Sequence, residues 1–199
     1  MKRIAILSAL ALFAAMIAPK ASAQMEDNKN HGNFGVFFDY TRLGGVEGTH
    51  PNMMGVGARL GVNVHPHVVL EGEMAYDFER SVTSNTAGLT TATRSNLRLL
   101  HGLFGPKIQT TGPVRVFALL KGGFVNFGVG GPATAGTINN QIGNIVDGNT
   151  NGVFYPGGGV EFNAGVFGIR LEAGDEIMFL NGGNHQNNLR LTAGPQIRF

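Results

Sequence analysis

The last eleven residues, Leu189 to Phe199, alternate without a break. Leu189, Leu191, Ala193, Pro195, Ile197 and Phe199 form one set; Arg190, Thr192, Gly194, Gln196 and Arg198 form the other. Successive side chains of a β-strand point to opposite faces. The segment therefore predicts a strand that is apolar on one face and polar or cationic on the other. Its length matches the roughly 9–11 residues a tilted strand needs to cross a bilayer.

The opposite end carries a different signal. Met1-Lys2-Arg3 is a charged start, Ile4 to Ile17 is an almost unbroken apolar run, and Pro19-Lys20 ends it. Ala21-Ser22-Ala23 then forms a small-residue cleavage site before Gln24. The apolar run falls short of the roughly 20 residues of a spanning helix. The expectation is an exported chain, with residues 1–23 as a cleaved signal peptide and 24–199 as a single β-barrel domain.

Export changes the charge argument. The whole chain has a formal net charge of +2, with 15 basic and 13 acidic residues. Without Lys2, Arg3 and Lys20 the basic residues fall to 12, so the mature domain has one acid more than it has bases. No basic footprint for nucleic acid remains. There is no cysteine, which excludes disulfides and thiolate metal sites. The 31 glycines lie within alternating runs and turns rather than in one low-complexity block.

Period 2 recurs along the chain, and no long segment after the signal has a helical period. Strands are predicted over about 33–42, 53–64, 68–79, 94–108, 114–127, 152–163 and 166–178, with the terminal strand as the eighth. The third is the cleanest, with Val68, Leu70, Gly72, Met74, Tyr76 and Phe78 opposing Glu71, Glu73, Ala75, Asp77 and Glu79. The fourth sets Leu97, Leu99 and Leu103 against Asn96, Arg98 and Gly102, with Phe104 out of pattern. The fifth is imperfect, since Phe117, Leu119 and Phe127 share a face with Arg115 and Lys121. Long polar connections (Leu43 to Asn52, Arg80 to Thr93, Gly128 to Thr150, Leu180 to Asn188) alternate with tight turns. That is the pattern of bacterial barrels with short periplasmic turns and longer outer loops. The predicted fold is all-β: a closed antiparallel eight-stranded up-and-down transmembrane β-barrel with both termini periplasmic.

The polar face collects Arg59, Glu71, Glu73, Asp77, Arg98, Lys121, Glu161, Arg170, Glu172, Arg190 and Arg198. Six cations and five anions are nearly balanced, as a narrow lumen requires if each buried charge is to find a partner. The apolar face is aliphatic in mid-strand and aromatic near strand ends (Phe34, Tyr40, Phe78, Phe154, Phe179, Phe199), the arrangement of an interfacial girdle. A soluble periplasmic ligand-binding barrel, with its polar face outward, is the alternative.

The signal peptide, the eight amphipathic strands and the ending Leu189-Arg190-Leu191-Thr192-Ala193-Gly194-Pro195-Gln196-Ile197-Arg198-Phe199 resemble the small outer-membrane β-barrel family. That family includes the barrel domain of outer-membrane protein A and the outer-membrane protein X group. The resemblance implies location in the outer membrane, contact with its lipid and lipopolysaccharide, a monomeric barrel, and reading of Phe199 by the barrel assembly machinery during insertion. Pro195 departs from the pattern, because it removes one ladder donor.

The six histidines are the residues most able to carry chemistry here. None of His31, His50, His65, His67, His101 and His185 is followed two positions later by Ser, so the nucleophile–base element of barrel lipases is missing. Each is expected to be a solvated turn or loop residue. His65-Pro66-His67 lacks a third ligand nearby, and no metal site is expected. Gly128-Val129-Gly130-Gly131 lacks the Lys-Ser/Thr of a phosphate loop. The Glu71/Glu73 pair is expected to belong to a lumen ion-pair network. No cofactor is implied and no enzymatic activity is expected. The expected role is structural or surface-interacting, with the outer loops as contact surface; a small pore is the alternative. Eight strands enclose an interior that side chains about fill.

Overall fold

A computed structural model of the chain describes residues 31–44, 51–84, 93–130, 150–180 and 184–199. Eight strands follow one another: β1 (Gly32–Arg42), β2 (Asn52–His65), β3 (Val68–Ser84), β4 (Thr93–Gln109), β5 (Val114–Gly130), β6 (Thr150–Ala164), β7 (Phe167–Phe179) and β8 (His185–Arg198). Each pairs antiparallel with its sequence neighbours, and β1 pairs with β8, so the sheet closes into a barrel. Closure removes the free edges that lipid would not tolerate. The seam runs from Asn33↔Arg198 to Arg42↔Leu189. Phe199 extends it, accepting from the amides of His31 and Gly32 and donating its own amide to the Gly32 carbonyl at 3.0 Å.

Alternation decides what each face meets. In β1, Phe34, Val36 and Phe38 point outward while Asn33, Phe37, Asp39 and Thr41 are buried within. Phe38 is 73% exposed, whereas Arg170 and Arg190 are at most 2% exposed. Large apolar side chains cover the outside of every strand, and most of the charges lie inside. A soluble barrel has the opposite polarity, so this is a transmembrane β-barrel. On the outer wall, Phe104 lies across from Gly72 and Gly122, and Phe124 across from Gly102 and Gly152. At Gly102 a Cβ would lie 2.6 Å from the Phe124 ring, so this glycine leaves room for its neighbour.

A bulge re-aims residues in β3, and prolines interrupt three ladders. A bulge between Asp77 and Arg80 leaves Phe78 and Glu79 both exposed, so Glu79 leaves the face of Glu71 and Asp77. Past the bulge, β3 continues to Ser84, into a segment expected to be loop. Three prolines each interrupt one ladder and leave the other intact. Pro106 still pairs with Leu70, Pro156 with Leu120 and Pro195 with Ile169. Bridging lapses between Phe104 and Lys107 toward β5, between Phe154 and Gly157 toward β7, and between Ala193 and Gln196 toward β1. The missing proline N–H accounts for each lapse. The register on either side is unchanged, so Pro195 weakens the last strand locally without shifting it.

Candidate functional site

The barrel interior is the densest concentration of chemistry in the molecule. It is built by inward positions of all eight strands. Near the middle, Arg170 on β7 donates to Glu71 at 2.8 Å and also meets Glu161 and Glu172. Lys107 on β4 donates to Glu161 at 2.6 Å and lies 3.6 Å from Glu71. Lys121 on β5 bridges Glu71 and Glu73. Arg59 on β2 donates to Glu172 and to the Thr192 hydroxyl, both at 2.8 Å. Arg190 on β8 grips Asp39 from Nε at 2.9–3.0 Å and reaches Glu73 at 2.6 Å.

Aromatic rings share this charged face, and their positions explain the imperfect alternation of the fifth strand. The Arg170 guanidinium lies 4.2 Å from the centre of the Phe117 ring, and that of Arg59 lies 4.1 Å from Phe37. Arg190 is 5.4 Å from Tyr155. The rings fill the space around the ion pairs and attract the cations through their faces.

The face assignment of the fourth strand is corrected. Leu97, Leu99 and Leu103 are buried inside the barrel, and Arg98 points outward and is exposed. The leucines join Leu43, Met53, Val125, Phe127, Val153 and Met178 in an apolar cluster that occupies the lumen toward the outer loops. Apolar packing, rather than polarity alone, thus fills part of the interior. His101 is also corrected: it is no solvated loop residue. It is fully buried in β4, with Nε2 3.2 Å from Asp77 and Nδ1 3.0 Å from Glu176. By contrast His31, His65, His67 and His185 are exposed, and His50 lies outside the described residues.

Of the residues expected in the lumen, Arg59, Glu71, Glu73, Asp77, Lys121, Glu161, Arg170, Glu172 and Arg190 are buried and within ion-pair distance of one another or of His101. Arg198 is half-buried on the inner face at the lower rim. Asp39, Lys107, Arg115, Glu176 and His101 were missed. Arg115 shares its parity with Lys121, and Glu176 with Arg170 and Glu172, which was the available signal; His101 and Lys107 have the parity opposite to Arg98, and β1 offered no second charge on the face of Asp39. Among the described residues, seven acids and six Lys or Arg side chains are buried, with His101 between two of those acids.

Two buried groups have donor sets in reach of a single cation: Asp39, Asp77 and His101, and Glu71, Glu73 and Glu172. In each, protein cations already hold the carboxylates. Arg190 engages both oxygens of Asp39, and Lys121 and Arg170 bridge the three glutamates. The signal-cleavage residues Ala23 and Gln24 lie outside the described residues.

A closed wall, apolar outside and packed with ion pairs inside, defines a small transmembrane β-barrel. No protein-family model and no curated protein matches the chain. Solved structures do share its fold. Neisserial surface protein A is similar over 83% of this chain and 97% of its own, at 12% identity and a TM-score of 0.53. Ail, the attachment invasion locus protein of Yersinia pestis, solved in complex with the heparin analogue sucrose octasulfate, covers 84% of this chain and 99% of its own, at 15% identity and a TM-score of 0.51. The outer membrane protein OprG of Pseudomonas aeruginosa covers 86% and 97%, at 8% identity and a TM-score of 0.51. At these identities the likeness is one of fold: the small eight-stranded barrels of bacterial outer membranes.

Proposed function

We propose that this protein is an outer-membrane barrel that acts through its outer rim, as a structural and surface-interacting element, and neither conducts nor catalyses. The observation that carries the reading is the filled interior. Ion pairs cross the barrel from β8 to β3 and from β4 to β7 and tie β8 to β1, and apolar side chains occupy its outer half. A conduit needs a continuous wet path, and here the charges are spent on one another. The outer rim, by contrast, offers surface. Among the described residues, β3 beyond Asp77 and β5 beyond Asn126 pair with β4 alone. These paired ends of β3, β4 and β5 extend the sheet on the loop side.

In this reading the barrel crosses the outer membrane, loses residues 1–23 on export, and is inserted by the assembly machinery through a final strand ending in Phe199. It stands as a monomer against outer-membrane lipid and lipopolysaccharide. The loops carry any partner contact. The test is conductance of the refolded barrel in a planar bilayer. Electrical silence is the expected result, and steady single-channel steps overturn the reading. An epitope placed near Asn140 should be reachable by antibody on intact cells. Its appearance only after permeabilisation would reverse the proposed topology.

A further inference from the structure

Arg98 is the charge that leaves the lumen. It sits on the outer wall of β4, level with Phe78 across the bulge and one row above Tyr76 and Leu100. Tyr76 and Phe78 pack edge to face at a centroid distance of 6.2 Å, at the loop-side end of the apolar belt. The cation thus stands at the upper girdle, where lipid headgroups begin.

Its surroundings form a shallow cradle. Arg98 lies across from Gly128 on β5, and a Cβ at Gly128 would come within 2.8 Å of the Arg98 Cγ and collide with its Nε. The missing side chain lets the arginine lie along the wall. One row below, Asn126 donates to the Thr150 hydroxyl at 2.9 Å, which places an amide and a hydroxyl beside the cation. The exposed Glu79 lies on the other side, but Arg98 forms no ion pair with it or with any other acid among the described residues. An unpaired guanidinium facing a headgroup layer selects phosphate, which its planar fork can bind in bidentate fashion.

We propose that Arg98, seated over Gly128 and flanked by Asn126 and Thr150, is a docking point for a phosphorylated glucosamine headgroup of the lipid A type in the outer leaflet. The proposal rests on the outer-membrane reading above and adds the site and ligand chemistry. Lipid A is favoured over a glycerophospholipid because the ledge lies on the loop side and pairs its cation with neutral polar groups suited to sugar hydroxyls.

The experiment measures lipid retention by the detergent-solubilised, folded barrel in native mass spectra. The probes are lipid A, dephosphorylated lipid A and phosphatidylglycerol. Wild type should retain one lipid A and lose it when the phosphates are removed. Arg98→Gln should weaken retention about tenfold, the equivalent of about 1.4 kcal/mol. Gly128→Val, which keeps the charge but fills the cradle, should also weaken it, whereas Arg42→Gln on the distant outer face of β1 should not. Heat-modifiable migration checks that each variant is folded. If a variant does not fold, the comparison of phosphorylated with dephosphorylated lipid A on wild type still decides. Equal retention by Arg98→Gln, indifference to the phosphates, or equal binding of phosphatidylglycerol overturns the proposal. A barrel that is silent in bilayers yet fails these arms refutes this inference alone; conductance refutes the functional reading alone.

Discussion

Replacing Arg190 with Met should damage the barrel more than the same change at Arg170, although Arg170 contacts as many acids. The difference lies in what each removal strands. Arg170 serves Glu71, Glu161 and Glu172, and each keeps another cation: Lys121 at 2.9 Å, Lys107 at 2.6 Å and Arg59 at 2.8 Å respectively. Its loss costs hydrogen bonds and the stacking on Phe117, about 1–3 kcal/mol. Arg190 is the only ion-pair partner of Asp39 among the described residues. Its loss leaves a buried carboxylate uncompensated, which costs about 3–5 kcal/mol. Glu73 is cushioned by Lys121 and Glu176 by His101. Removing Asp39 as well, in Arg190→Met with Asp39→Leu, should restore most of the loss, because no stranded charge remains. Equilibrium urea unfolding in lipid vesicles measures all three variants against wild type. Equal losses for the two single arginine changes, or no recovery in the double variant, would refute the reasoning.

Leu70→Arg should impair refolding into lipid by about 2–4 kcal/mol, because Leu70 faces the lipid. Glu73→Gln should cost less, since Lys121 keeps Glu71 and Arg190 keeps Asp39; the reverse order would mean the two faces are misassigned. Gly194→Val should prevent closure of the β1–β8 seam, where a Cβ would lie 2.6 Å from the Phe37 Cα. Gly122→Ala, whose nearest neighbour would be 3.8 Å away, should retain heat-modifiable migration. Deleting Phe199 should lower the fraction of inserted protein in cells more than it lowers the stability of barrel already folded. Matched insertion at matched expression would rule out its role as an assembly signal.

The architecture was legible because period 2 is a geometric property of strands and survives errors of several residues at their ends. Face assignment was harder, and β4 shows why. Its odd positions carry Leu97, Leu99, His101, Leu103, Lys107 and Gln109; its even positions carry Arg98, Leu100, Phe104 and Ile108. Judged by its leucines, the odd face goes to lipid. Judged by His101 and Lys107, it goes inward, and the structure takes the second solution. The two signals are not equivalent in energy. An apolar side chain in the lumen loses little, since it can pack with Val125, Phe127 and Met178. A lysine or a histidine turned to the hydrocarbon has no partner at all. Arg98 escapes this rule only because it stands at the girdle, where the side chain reaches polar headgroups. In a narrow barrel the parity of a strand is therefore set by its deepest charges, and the apolar residues that share their face become packing.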